Sequence, residues 1–279
     1  MTSFKITLWG GLPPPIKEDV AVGTFLARPS MAEGHGVAAP AQTFFAQLST
    51  CRTTGHLYDK IYMHLRHPAN AMHPFRCFNP SEYRITEIVV LKRRVFIQHE
   101  GFMLRVHHEP PAHHPAEPDF IISIDRSIDS MRSSSFISSP KLAIDRVGCS
   151  LLPIVGQLEG SFGRPIVWRM PAPGHQYAFN LNLTQFGVLL HAVLFSYPQQ
   201  QYSTLYNNCF SHSRILRAVI IRIIQAQQPQ NSNNPVIADE LNVSMLRPGT
   251  CFGFSLDRNE GEDEVVFGNY QALYAQFLS

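Results

Sequence analysis

Residues 202–227, YSTLYNNCFSHSRILRAVIIRIIQAQ, place one cysteine, Cys209, where a thiol gains nucleophilic character. Asn207 or Asn208 is of the type that caps a helix start. The apolar period that follows predicts a helix with Cys209 in its first turn. Cys209, Ser213, Leu216, Ile220 and Ile223 fall at i, i+4, i+7, i+11 and i+14 and share one face, with Arg214, Arg217 and Arg222 towards the other side. A thiol in a first turn meets unpaired backbone N–H groups and the positive end of the helix dipole, and both favour the thiolate. The N–H of Cys209 itself has no acceptor within the helix and would help to hold an oxyanion. The chemistry that follows is nucleophilic acyl transfer, which needs a base, usually a histidine. His212 stands three residues on and could itself approach Cys209.

Other constellations read differently. His107, His108, His113 and His114, with Glu109, are ligand types that suit zinc. The prolines of 110–118, PPAHHPAEP, and the lack of a helical His-x-x-x-His pair predict a solvated loop instead, with no metal. The acidic run at 260–264, EGEDE, lacks calcium-loop spacing and reads as another solvated loop. His191 reads as a core or boundary residue. No Gly-rich dinucleotide or phosphate loop and no Gly-x-Ser-x-Gly elbow occurs, which weighs against nucleotide enzymes and the usual serine hydrolases. No cofactor is expected.

Stepping outward, the elements that must position Cys209 are strands before it and helices on both sides. Residues 10–42 are rich in Pro, Gly and Ala and predict an irregular N-terminal arm over 1–42. Short helices are expected at 42–48 and 56–67. Strands are expected at 85–91 and 94–98, joined by a basic turn, then at 99–109 and 119–125 as a hairpin with a long polar loop. A Ser-rich insertion is expected near 126–140, then β-like segments at 141–147, 164–169 and 176–183. Thr184 is expected to cap a helix running to about Ser196, with Phe186, Leu189, Leu190 and Val193 on its apolar face. A strand at 251–255 and a helix near 267–278 close the chain. The reading is an α+β fold, a single domain over 43–279, in which an antiparallel sheet packs against a central Cys-bearing helix.

The order of these features resembles the circularly permuted papain-like cysteine hydrolases and acyltransferases, of the lecithin:retinol acyltransferase and NlpC-like types. There a histidine on a central strand comes first, and a cysteine follows on a helix introduced by a pattern like Tyr…Asn-Cys. Here the histidine is His99, in Gln-His-Glu-Gly-Phe-Met-Leu, and the helix entry runs from Tyr202 to Asn208-Cys209-Phe210. The arrangement is also similar to that of fungal proteins that carry no assigned activity. The resemblance covers roughly 85–227, and the long interval between His99 and Cys209 requires the Ser-rich stretch and further strands to be insertions. It implies an antiparallel sheet on the cysteine helix and acyl transfer or hydrolysis of an amide or ester. Cys209 would then be the nucleophile and His99 the base, with Asp125 or Asp129 orienting the imidazole.

Composition sets the outer bounds. Of 279 residues, 44% are hydrophobic and 16% charged, enough for a sizeable core and too apolar for global disorder. A net charge of +2, with only small basic clusters such as Lys92-Arg93-Arg94, argues against sequence-independent nucleic-acid binding. The five cysteines are odd in number and contain no Cys-x-x-Cys pair, so neither a disulfide framework nor a thiolate zinc site is suggested. No transmembrane segment or signal peptide is expected, and the location is read as cytoplasmic or nuclear. The partner is an acyl substrate of unknown identity or a protein. The reading that competes with the enzyme is a non-catalytic protein-binding or structural domain whose cysteine is buried for packing.

Overall fold

The computed structural model describes residues 43–66, 78–93, 99–112, 115–128, 141–151, 166–172, 174, 179–196, 201–202, 209–227, 250–251, 254–255 and 261–278. The arm at 1–42 and Asp129 lie outside the described residues.

Alternating apolar residues build the sheet. Strands β1 (Tyr83–Arg93), β2 (His99–His108), β3 (Phe120–Ile128) and β4 (Lys141–Leu151) form a meander in which each pairs antiparallel with the next. Strand β5 (Ile166–Met170) returns to the free side of β1, and β6 (Gln201–Tyr202) touches the start of β4, giving the order β5-β1-β2-β3-β4-β6. Because successive strand residues face opposite sides, Ile88, Val90, Phe102, Leu104, Phe120, Ile122 and Ile124 enter the main core. Val89, Leu91, Met103 and Ile121 form a separate apolar cluster on the other face. Each fully buried side chain of this size contributes roughly 1.5–3 kcal/mol.

Helices pack on the main-core face. Helix α1 (Phe44–Leu48) is capped by Thr43, whose hydroxyl accepts from the Ala46 N–H at 3.1 Å. Helix α2 (Thr54–Arg66) packs against α3 (Leu183–Ser196), and α4 (Cys209–Gln227) lies on β2 and β3. Helix α5 (Glu262–Leu278) packs on both α3 and α4. Strands β7 (Thr250–Cys251) and β8 (Phe254–Ser255) pair antiparallel with each other, apart from the main sheet. The fold is α+β, with an antiparallel sheet against the Cys-bearing helix, as the sequence predicts. No described helix is long and apolar enough to cross a membrane.

Several expected boundaries move. Lys92 and Arg93 belong to β1, and Arg93 lies opposite His99, so the expected basic turn gives way to strand; 94–98 lie outside the described residues. Strand β3 continues to Ile128 because Arg126, Ser127 and Ile128 pair with Asp145, Ile144 and Ala143, which shortens the expected Ser-rich insertion from its front. The cap of α3 is Asn182 rather than Thr184. The Gln185 N–H donates to Asn182 Oδ1 and the Asn182 N–H donates to Gln185 Oε1, both at 3.0 Å, a reciprocal box that settles two orphan donors. Phe179 to Leu181 are correspondingly not strand, and Asn182 makes only an isolated bridge to Arg84.

The acidic run is not a solvated loop. Glu262, Asp263 and Glu264 form the first turn of α5, where the helix dipole favours negative charge. Asp263 is buried, 3.1 Å from Arg222 and 3.6 Å from Arg214 of α4. The arginine stripe of α4 therefore faces acids of the protein itself and not open water.

Candidate functional site

Charged residues at core-parity positions define the site. On β2, Glu100 shares the parity of Phe102 and Leu104; on β3, Arg126 shares that of Ile122 and Ile124; on β4, Asp145 shares that of Val147. All three point to the face on which α4 lies, and all three are buried. A buried charge costs several kcal/mol unless it is paired and hydrogen-bonded. Arg126 and Asp145 satisfy this by a two-pronged pair: Nε donates to Oδ1 at 2.6 Å and a terminal guanidinium nitrogen donates to Oδ2 at 2.8 Å. Glu100 lies 4.0 Å from Arg217 of α4, whose guanidinium carbon sits 5.8 Å from the Trp168 ring centre on β5.

The first turns of α4 close over this layer. Cys209 is the first helical residue and is 2% exposed; Ser211, His212 and Ser213 are buried beside it. His212 is 4% exposed, and its Nε2 lies 3.8 Å from Asp145 Oδ2, beyond a direct hydrogen bond. Among the described residues neither His212 Nε2 nor Ser213 Oγ has a hydrogen-bond partner. Burial pulls the His212 imidazole down to about 4, against the upward pull of Asp145; Arg126 lowers it further and Asp125 raises it. The ring is therefore neutral at physiological pH, with a lone pair on one nitrogen.

The residues singled out in the sequence fall as follows. Cys209 opens α4, as expected. His99 opens β2, its Cα opposite Arg93, and its side chain is not among the described atoms. Asp125 lies opposite Gly101 and Arg146, on the sheet face away from that of Arg126, and reaches His212 electrostatically. Asp129 lies outside the described residues. Glu100, Arg126 and Asp145 were missed, although a charge inside a strand at the parity of its apolar neighbours is legible without a structure.

The histidines near the β2–β3 loop are structural in their described members. His107 Nδ1 lies 2.7 Å from Asp119. His108 is buried, stacks on Tyr83 at 4.2 Å between centres, and its Nδ1 accepts from the Glu117 N–H at 2.9 Å. His113 and His114 lie outside the described residues, and no group of three or more metal-ligating side chains occurs among those described. His64 is likewise a core residue, with Nε2 2.8 Å from Gln47 Oε1 and Nδ1 accepting from Phe78 N–H. No protein-family model, curated protein or solved structure matches the chain.

Proposed function

We propose that this chain performs thiol-dependent acyl transfer, as a papain-like hydrolase or acyltransferase acting on an amide or ester. The observation that carries the reading is the position of Cys209 at the first turn of a 19-residue helix whose entry packs against buried ionisable groups. In the reaction the Cys209 sulfur bonds to the acyl carbon and a histidine takes the thiol proton. That proton passes to the leaving alcohol or amine as its bond to the acyl carbon breaks. Water, or an acceptor hydroxyl, then releases the acyl group and restores the thiol. The resemblance assigns the proton acceptor to His99, with Asp125 or Asp129 as its orienter. Cys51, Cys149 and Cys209 are free thiols, in keeping with a reducing cytoplasmic or nuclear setting.

The test is the pH dependence of Cys209 alkylation by iodoacetamide, in the native protein and in His99→Ala. Labelling well below the ordinary thiol value of about 8.5 supports the thiolate. A second reading has one specific observation in its favour: Cys209 is 2% exposed. A folded protein whose Cys209 resists alkylation at every pH is a non-catalytic domain with a space-filling cysteine.

A further inference from the structure

We propose that Cys51 and Cys149 are the two halves of a reversible disulfide that fastens the α1–α2 connector to strand β4. The proposal is independent of the reading of Cys209.

The backbone brings the two cysteines together. The connector runs antiparallel beside β4: Thr53 bridges Arg146, and Arg52 O accepts from the Val147 N–H at 2.9 Å. Cys51 is one step back along the connector and Cys149 two steps forward along β4, so the antiparallel sense carries them towards each other. Continuing that register puts Cys51 level with Gly148, the immediate neighbour of Cys149 and a residue with no side chain to stand between them. Adjacent strands lie about 4.8 Å apart and one residue advances about 3.3 Å, so a diagonal pair of Cα atoms is roughly 6 Å apart. Disulfides span that separation without strain. Both side chains meet the same core. Cys51 belongs to it and is 1% exposed, while Cys149, opposite Ile122, is half-buried and packs against it. Cys51 is also among the charges that raise the Cys149 thiol, which places the two sulfurs in one local environment.

Their chemistry suits a latch and not a nucleophile. Burial raises both thiols, Cys149 to about 12; Arg52 opposes the rise at Cys149, and Lys60 and Arg52 oppose it at Cys51, where Asp59 adds to it. Both groups are therefore protonated at neutral pH and exchange slowly. Cys149, the less buried, meets the oxidant first. Its thiolate attacks a sulfur of a small disulfide such as oxidised glutathione, releasing one glutathione and leaving a mixed disulfide. The Cys51 thiolate then attacks the Cys149 sulfur and releases the second glutathione. Two protein thiols lose two electrons and two protons, and the glutathione disulfide becomes two thiols. The bond pins the connector to the sheet border and restricts the unfolded chain.

The experiment incubates the folded full chain with oxidised glutathione, caps remaining thiols with N-ethylmaleimide and reads intact mass and peptide map. The expected product has lost two hydrogens, joins the Cys51 and Cys149 peptides, and unfolds at a higher urea midpoint that dithiothreitol reverses. Cys51→Ser and Cys149→Ser should each abolish that shift, and Cys51→Ser should retain glutathione on Cys149. Because slow access mimics wrong geometry, oxidation is also carried out by refolding from urea in glutathione buffers. The link should then half-form in a buffer at least about tenfold more reducing than the one needed in urea. A link reached only by refolding still upholds the pairing. Cys51 and Cys149 that stay thiols after refolding, or a link to Cys77, Cys209 or Cys251 instead, overturn the proposal.

Discussion

Arg126 and Asp145 face one another across β3 and β4 and are joined twice, at 2.6 and 2.8 Å, inside a core in which neither is more than 5% exposed. Removing one partner strands the other charge away from water. Asp145→Ala is therefore expected to lower stability by about 3–5 kcal/mol in urea titration. The double replacement Arg126→Met with Asp145→Leu should recover most of that loss, since it removes both desolvation penalties together. A single-variant loss under about 1 kcal/mol would show the pair to be solvated.

Stability should fall on mild acidification. His212 titrates near 6.5 when unfolded and near 4 when folded. Between those values the unfolded chain binds more protons, so stability rises with pH across the window. It is full above about 6.5 and declines as pH drops towards 4, by an amount on the order of a few kcal/mol. Burial also lowers His64 and His191, in the same direction. Denaturation midpoints at several pH values check this, and His212→Gln should flatten the slope; an equal slope in that variant would assign the effect elsewhere.

Glu117 ties the proline-rich loop to a helix distant in sequence. Its carboxylate accepts from the Phe44 N–H at 2.9 Å and the Phe45 N–H at 3.3 Å, supplying acceptors for orphan donors of α1. Glu117→Ala should cost about 1–2 kcal/mol, the usual range for a lost cap. Glu117→Gln, which keeps an acceptor oxygen, should lose less. Equal losses in the two variants would locate the effect in charge alone.

Gly187 lets α3 approach α2. A Cβ there would sit 2.8 Å from Ile61 Cγ2 and 3.4 Å from Ile61 Cβ, both close to the backbone of α2 and poorly able to move. Gly187→Ala should therefore destabilise by about 1–3 kcal/mol despite the better helix propensity of alanine. Pairing it with Ile61→Leu, which removes the offending branch, should restore part of the loss. A stabilising Gly187→Ala would mean that the two helices separate freely.

The meander and the cysteine helix were legible because their patterns repeat. Strands β1 to β3 carry runs of β-branched and other apolar residues that fill both faces of the sheet, and α4 carries apolar residues at helical spacing over five turns. The start of α3 was misplaced because Asn182 and Thr184 are both good caps, and only the reciprocal bond with Gln185 separates them. The acidic run reads as a solvated loop from its sequence because the burial of Asp263 depends on Arg214 and Arg222, which approach from a helix far away in the chain. Cys209 and His212 could be chosen by local spacing. Asp145 could not be paired with His212 in advance, since nothing local to either fixes the docking of α4 on β4's neighbours, although its parity with Val147 already marked it as an inward charge.

The connector between α1 and α2 has a role beyond joining helices. The Val147 N–H donates to Arg52 O at 2.9 Å, and Thr53 bridges Arg146, midway along the outer side of β4. An exposed strand border is a template on which another chain can zip up, residue after residue. By claiming the middle of that border, a short piece of non-strand backbone breaks the run into lengths too short for a foreign strand to hold, and so protects the sheet against edge-to-edge self-association.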